Sequence, residues 1–146
     1  MLLRNDAQVA LNQVEECCIE AADHFTSSAS RSNDPALINI LESLARRHNE
    51  FALRIAEELR RMDDLPKVPD PDREAAVEVL SAVKEFFSGN ARATMLEEHI
   101  NTESKLTDAV DAALKASPSP DSQKLLLEVQ EFAIETKQRL EAISRH

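Results

Sequence analysis

The sequence predicts an all-α protein, a four-helix bundle made of two helical hairpins. Three observations carry that prediction. The composition favours helix, with one glycine and neither tryptophan nor tyrosine in 146 residues, beside abundant Leu, Ala and Glu. Four long stretches repeat apolar residues at the spacing of one helix face. The third observation is punctuation. Asp34-Pro35, Asp70-Pro71 and Ser119-Pro120 each set a capping residue before a proline that suits the first turn of a helix.

In chain order, the first helix is expected over about 6–28, with Ala7, Ala10, Leu11, Val14, Cys17, Cys18, Ala21 and Phe25 on one face. A polar run from Ser27 to Asn33 ends it. The second helix, about 35–62, carries Leu37, Ile40, Leu41, Leu44, Ala45, Phe51, Ala52, Ile55 and Leu59 inward. Arg60 and Arg61 suit the negative end of its dipole. Three prolines between Asp63 and Pro71 break the chain, and a short amphipathic helix follows over about 72–88. Gly89 fits a residue of positive φ after that helix, and Asn90 can cap the next, about 90–116. Ser117-Pro118-Ser119-Pro120 leads into the last helix, about 120–144. Short connections make each pair an antiparallel hairpin, and the long crossover from 62 to 90 can travel the length of the bundle. A single domain over 1–146 is expected. A faint internal echo supports two related hairpins. Glu15-Glu16-Cys17 matches Glu97-Glu98-His99 at an offset of 82, and Glu50-Phe51-Ala52 matches Glu131-Phe132-Ala133 at 81.

Charge and cysteine content narrow the classes of function. The formal net charge is −10, with no Lys/Arg-rich stripe to neutralise phosphates, so neither nucleic acid nor an anionic membrane is expected as partner. Met1-Leu2-Leu3 is too short for a signal h-region, and no apolar run approaches membrane-spanning length, which makes the cytoplasm the expected location. Adjacent Cys17 and Cys18 on a helix cannot form an ordinary disulfide with each other, and two reduced thiols fit that location. Ile19, Leu53, Leu127 and Ile134 face away from their own stripes, which points to a homodimer or to cover by the crossover helix.

Polar residues interrupt the apolar stripes at mid-bundle. His99 and Glu103, four residues apart, are neighbours on the inward face that also carries Met95, Leu96, Leu106, Val110, Ala113 and Leu114. His48 stands in the middle of the second helix's apolar face. Cys17, Cys18 and Thr136 fall at similar heights. Two readings follow. His48, His99 and Glu103, with Cys17 or Cys18, could ligate a transition metal, iron or zinc being the candidates. Alternatively, His48 or His99 bonds Glu103 in a buried network of a non-catalytic structural or interaction module. His24, His146 and the acidic pairs Glu57-Glu58 and Asp63-Asp64 are expected in solvent. The sequence has no serine–histidine–acid arrangement, glycine-rich phosphate loop or paired-cysteine metal motif.

The runs Leu44-Ala45-Arg46-Arg47-His48-Asn49-Glu50-Phe51 and Leu96-Glu97-Glu98-His99-Ile100-Asn101-Thr102-Glu103 resemble small bacterial ferritin-like bundle proteins of the rubrerythrin and bacterioferritin kind, a subgroup often described only as domains of unknown function. The likeness spans about Ala7 to Ile143. It implies the ferritin-like plan of hairpin, long crossover and hairpin, and a candidate metal site at mid-bundle. A ferritin-like di-iron centre takes a Glu from each of two helices and a Glu-x-x-His from each of the others. This sequence departs from that set. Ala45 precedes His48 by three residues, Glu16 and Glu20 lie away from the apolar stripe, and Glu128, Glu131 and Glu135 lie on the polar side of the last helix. Of the six ligands, only His48 and Glu103 point inward, so a ferroxidase of the standard kind is not expected.

Overall fold

The computed structural model describes residues 6–62, 91–116 and 118–145. These form four helices, α1 (Asp6–Ser30), α2 (Pro35–Arg61), α3 (Ala91–Lys115) and α4 (Pro120–Ser144), with no strand among the described residues. None of the four is long and apolar enough to cross a membrane. The expected amphipathic helix over 72–88, its Gly89 terminator and the Asn90 cap lie outside the described residues.

The helix starts follow the cap-then-proline signals. Asp34 accepts a hydrogen bond from the Ala36 backbone N–H and Pro35 opens α2. Ser119 accepts from the Ser122 N–H and Pro120 opens α4. In each case the side-chain oxygen satisfies a donor for which the first turn has no partner. The polar tail expected to end α1 near residue 28 does not stop it there. α1 runs on to Ser30, because Ser28 and Ala29 continue the buried stripe one turn past Phe25.

Pairs of contacts fix the directions of the helices. Ser28 and His24 of α1 meet His99 and Thr102 of α3, so the residue number rises on one helix as it falls on the other. Arg54 and Glu58 of α2 meet Glu128 and Ser122 of α4 in the same opposed sense. At the other end of the first hairpin, Gln8 of α1 donates to the carbonyl of Met62. Both hairpins and both seams between them are therefore antiparallel, which leaves α2 parallel to α3. The packed neighbours are α1–α2, α3–α4, α1–α3 and α2–α4, with α2 and α3 at opposite corners.

The two hairpins repeat in register. Ala91 stands 85 residues after Asp6, Pro120 85 after Pro35, and the capping Ser119 85 after Asp34. Buried positions then coincide: Leu11 with Leu96, Cys18 with Glu103, Leu41 with Leu126, His48 with Ala133 and Ile55 with Leu140. The sequence echoes at 81 and 82 sit about one helical turn from this register. A shift of one turn keeps the same face inward, which is why both alignments match buried with buried.

Apolar packing falls into two clusters along the bundle axis. One gathers Leu11, Val14, Ile55, Leu59, Val110 and Leu126. The other gathers Phe25, Leu37, Leu41, Leu44, Leu96 and Leu140. Of the residues expected to face outward, Leu53 (68% exposed), Leu127 (49%) and Ile134 (45%) do so, while Ile19 is half-buried against the first cluster.

Candidate functional site

Between the two apolar clusters lies a tier of polar side chains, His48, His99, Glu103 and Thr136, all buried. Each stands where the helical period carries a polar residue into the stripe. His48 follows Leu44 and Ala45 and precedes Phe51, and Glu103 lies between Leu96 and Leu106.

His48 and Glu103 meet across the centre of the bundle from opposite corners. His48 Nε2 and Glu103 Oε1 are 2.6 Å apart and neither side chain is exposed at all. On its other edge, His48 Nδ1 lies 2.6 Å from the Leu44 carbonyl oxygen. A carbonyl can only accept, so Nδ1 carries the hydrogen. Nε2 of a neutral ring would then be a bare lone pair facing a carboxylate oxygen. The contact is a close charge pairing and not a hydrogen bond, since among the described residues neither His48 Nε2 nor Glu103 Oε1 has a hydrogen-bond partner. Glu103 Oε2 and Thr136 Oγ1 are both buried without a hydrogen-bond partner among the described residues.

His99 has a partner on α1. Its Nε2 lies 2.8 Å from the Ser28 hydroxyl oxygen. The Phe25 ring stacks on the His99 ring, with centroids 4.2 Å apart and planes 8° from parallel. The same Phe25 ring lies 5.2 Å from that of His48, so a phenyl ring touches both imidazoles. On the α2–α4 side, Phe132 meets the His48 ring edge-on at 4.9 Å and packs against Phe51. The Arg47 guanidinium covers Phe51 at 4.5 Å and closes that seam to solvent.

The cysteines supply small buried groups. Burial, and after it the neighbouring charge of Glu103, pushes the Cys18 thiol far above its ordinary range. Burial raises Cys17 as well, against the opposing effect of the Gln13 amide on its sulfur. Neither thiol is poised to become the thiolate a soft metal requires.

The five candidate ligands are thus brought to one region without forming one set. His48 touches Glu103, while His99 turns to Ser28 behind Phe25. Among the described residues no three of His, Cys, Asp and Glu gather in a group that could hold a metal ion. A zinc or iron centre takes three or more ligands about one point.

Some partners were not evident from sequence. Ser28 belongs to a serine-rich run that reads as a polar tail, although it lies one turn beyond Phe25 on the same face. Glu58, expected in solvent, is only 6% exposed. It accepts from the Ser122 hydroxyl at 3.1 Å and pairs with Arg61, tying the end of α2 to the capped start of α4. His24, also expected in solvent, is half-buried opposite Thr102.

These features define a helical-bundle protein with a buried polar tier. A family model for a domain of unknown function, DUF2383, matches residues 6–116, and the chain belongs to that family. The match takes in the first hairpin and α3, and so includes His48, His99, Glu103 and both cysteines. Neither the curated proteins nor the solved structures yield a match.

Proposed function

We infer that the chain is a ferritin-like bundle, located in the cytoplasm, that works as a non-catalytic interaction module rather than as a metalloenzyme. Two hairpins joined by a long connection, with α2 parallel to α3 at opposite corners, support the ferritin-like reading. The observation that carries the functional reading is the His48–Glu103 contact itself. His48 and Glu103 meet in the core at 2.6 Å with no solvent exposure, and each occupies the edge of the other that a metal would need. Function then belongs to the outer surface. Leu127 and Ile134, seven residues apart on the exposed side of α4, support a homodimer contact. Light scattering at high micromolar concentration should show twice the mass of the chain, and a monomer would rule the contact out.

A second reading has one observation in its favour. Glu103 Oε2 and Thr136 Oγ1 are buried oxygens without hydrogen-bond partners among the described residues, and a cation could draw on both. The readings separate on the thermal shift of protein purified without chelator or affinity-tag nickel. A metal that binds the folded state at a hundredfold its Kd would stabilise it by about 2.7 kcal/mol, which is easily seen. We expect no shift with zinc, iron or any other first-row divalent ion, and no stoichiometric metal in the purified protein. A shift lost on Glu103→Gln would establish the metal reading.

A further inference from the structure

We propose that the buried polar contacts are a pairing code that makes the first hairpin choose the second hairpin of its own chain over the first hairpin of another copy. The inference rests on the network reading above and assigns that network a task. The two hairpins have matching caps and coincident buried positions at a displacement of 85 residues. In apolar shape they are near-equivalent partners, so packing alone discriminates poorly between like and unlike pairs.

The polar residues break that equivalence, because they do not repeat. Where α1 has Cys18, α3 has Glu103; where α2 has His48, α4 has Ala133. Likewise Val14 corresponds to His99 and Ser28 to Ala113. Both contacts that use these groups, His48 with Glu103 and Ser28 with His99, run from one hairpin to the other. Two first hairpins packed together would set each His48 against a Cys18 thiol held protonated by burial, and each Ser28 against a Val14. Two second hairpins would set each Glu103 carboxylate against an Ala133 and each His99 against an Ala113. Both like pairs leave buried polar groups without partners, and the second leaves two buried charges. Only the unlike pair sets His48 against Glu103 and Ser28 against His99 together.

The test uses the full chain. Isotope-labelled and unlabelled protein are denatured, mixed, refolded at high concentration and examined by isotope-filtered NMR for like-with-like contacts between copies, α1 against α1 and α2 against α2. The parent should show no such contacts, its α1 packing on α3 and its α2 on α4. The double variant His48→Leu with Glu103→Leu keeps an apolar core and removes the His48–Glu103 half of the code, and its like-paired population should rise by about tenfold or more. Glu103→Gln, which can still bond His48, should stay close to the parent. A folded double variant with no like-with-like contacts would overturn the proposal, as would a Glu103→Gln chain that exchanges as freely as the double variant. If the double variant does not fold, Glu103→Cys, which gives both hairpins cysteine at the matching position, decides in the same way: like-with-like contacts uphold the role of the His48–Glu103 pair and their absence overturns it. Metal content plays no part in this readout, so its result stands apart from the thermal-shift test.

Discussion

Glu103→Leu should destabilise the protein by about 3–5 kcal/mol, while His48→Leu combined with Glu103→Leu should recover most or all of that loss. The asymmetry follows from the geometry of the pair. Glu103 Oε1 stands against His48 Nε2, and both side chains are sealed from water. Removing the carboxylate leaves an imidazole edge that water cannot reach. Removing both partners leaves leucines of similar volume between two apolar clusters, and such replacements of a buried pair are often neutral or stabilising by about 1–4 kcal/mol. At this chain length a loss of 3–5 kcal/mol lowers Tm by roughly 10 °C. Denaturant unfolding of the two single variants and the double variant gives the coupling energy directly. Equal and additive losses would show that the 2.6 Å contact contributes nothing as a pair.

Phe25→Ala should be about as costly, at roughly 3–5 kcal/mol, because a fully buried ring leaves a cavity that helices on four sides cannot fill. Phe25 touches both imidazoles, so the change also reaches the polar tier. Phe25→Leu should cost less and isolates the ring stacking on His99, about 0.5–1.5 kcal/mol beyond burial. The His99 ring protons offer a local check. They lie over the face of the Phe25 ring and should move downfield in either variant. Unchanged His99 resonances in Phe25→Leu would mean that the stack is absent in solution.

The bundle was legible because its signals are local. Asp34 and Ser119 cap the helices they precede, and Leu41, Ile55, Leu106 and Val110 fall inward as their spacing requires. The inward placement of His48, His99 and Glu103 was legible for the same reason. Which of them meet was not, since periodicity assigns a face and says nothing about what stands opposite. His99 took Ser28 as partner because α1 extends to Ser30, beyond the point where a serine-rich run looks terminal. Glu58 reads as one of two adjacent surface carboxylates, and only the approach of α4 at Ser122 buries it. The register of 85 was obscured because polar exchanges fall at its inward positions, Cys18 for Glu103 and His48 for Ala133, which weakens the match where it would be most informative.

The polar tier also bears on how the folded chain holds together along its length. Apolar packing is interrupted at that level, with one cluster toward the α1–α2 turn and the other toward the α3–α4 turn. Mechanically the molecule is two short bundles stacked end to end on shared rods. Loosening of side chains at one end reaches the other through four unbroken helices and the thin bridge of Phe25, His48 and Phe132. Cooperativity between the halves is therefore carried by backbone stiffness and a few rings, and either end can breathe without dissolving the other.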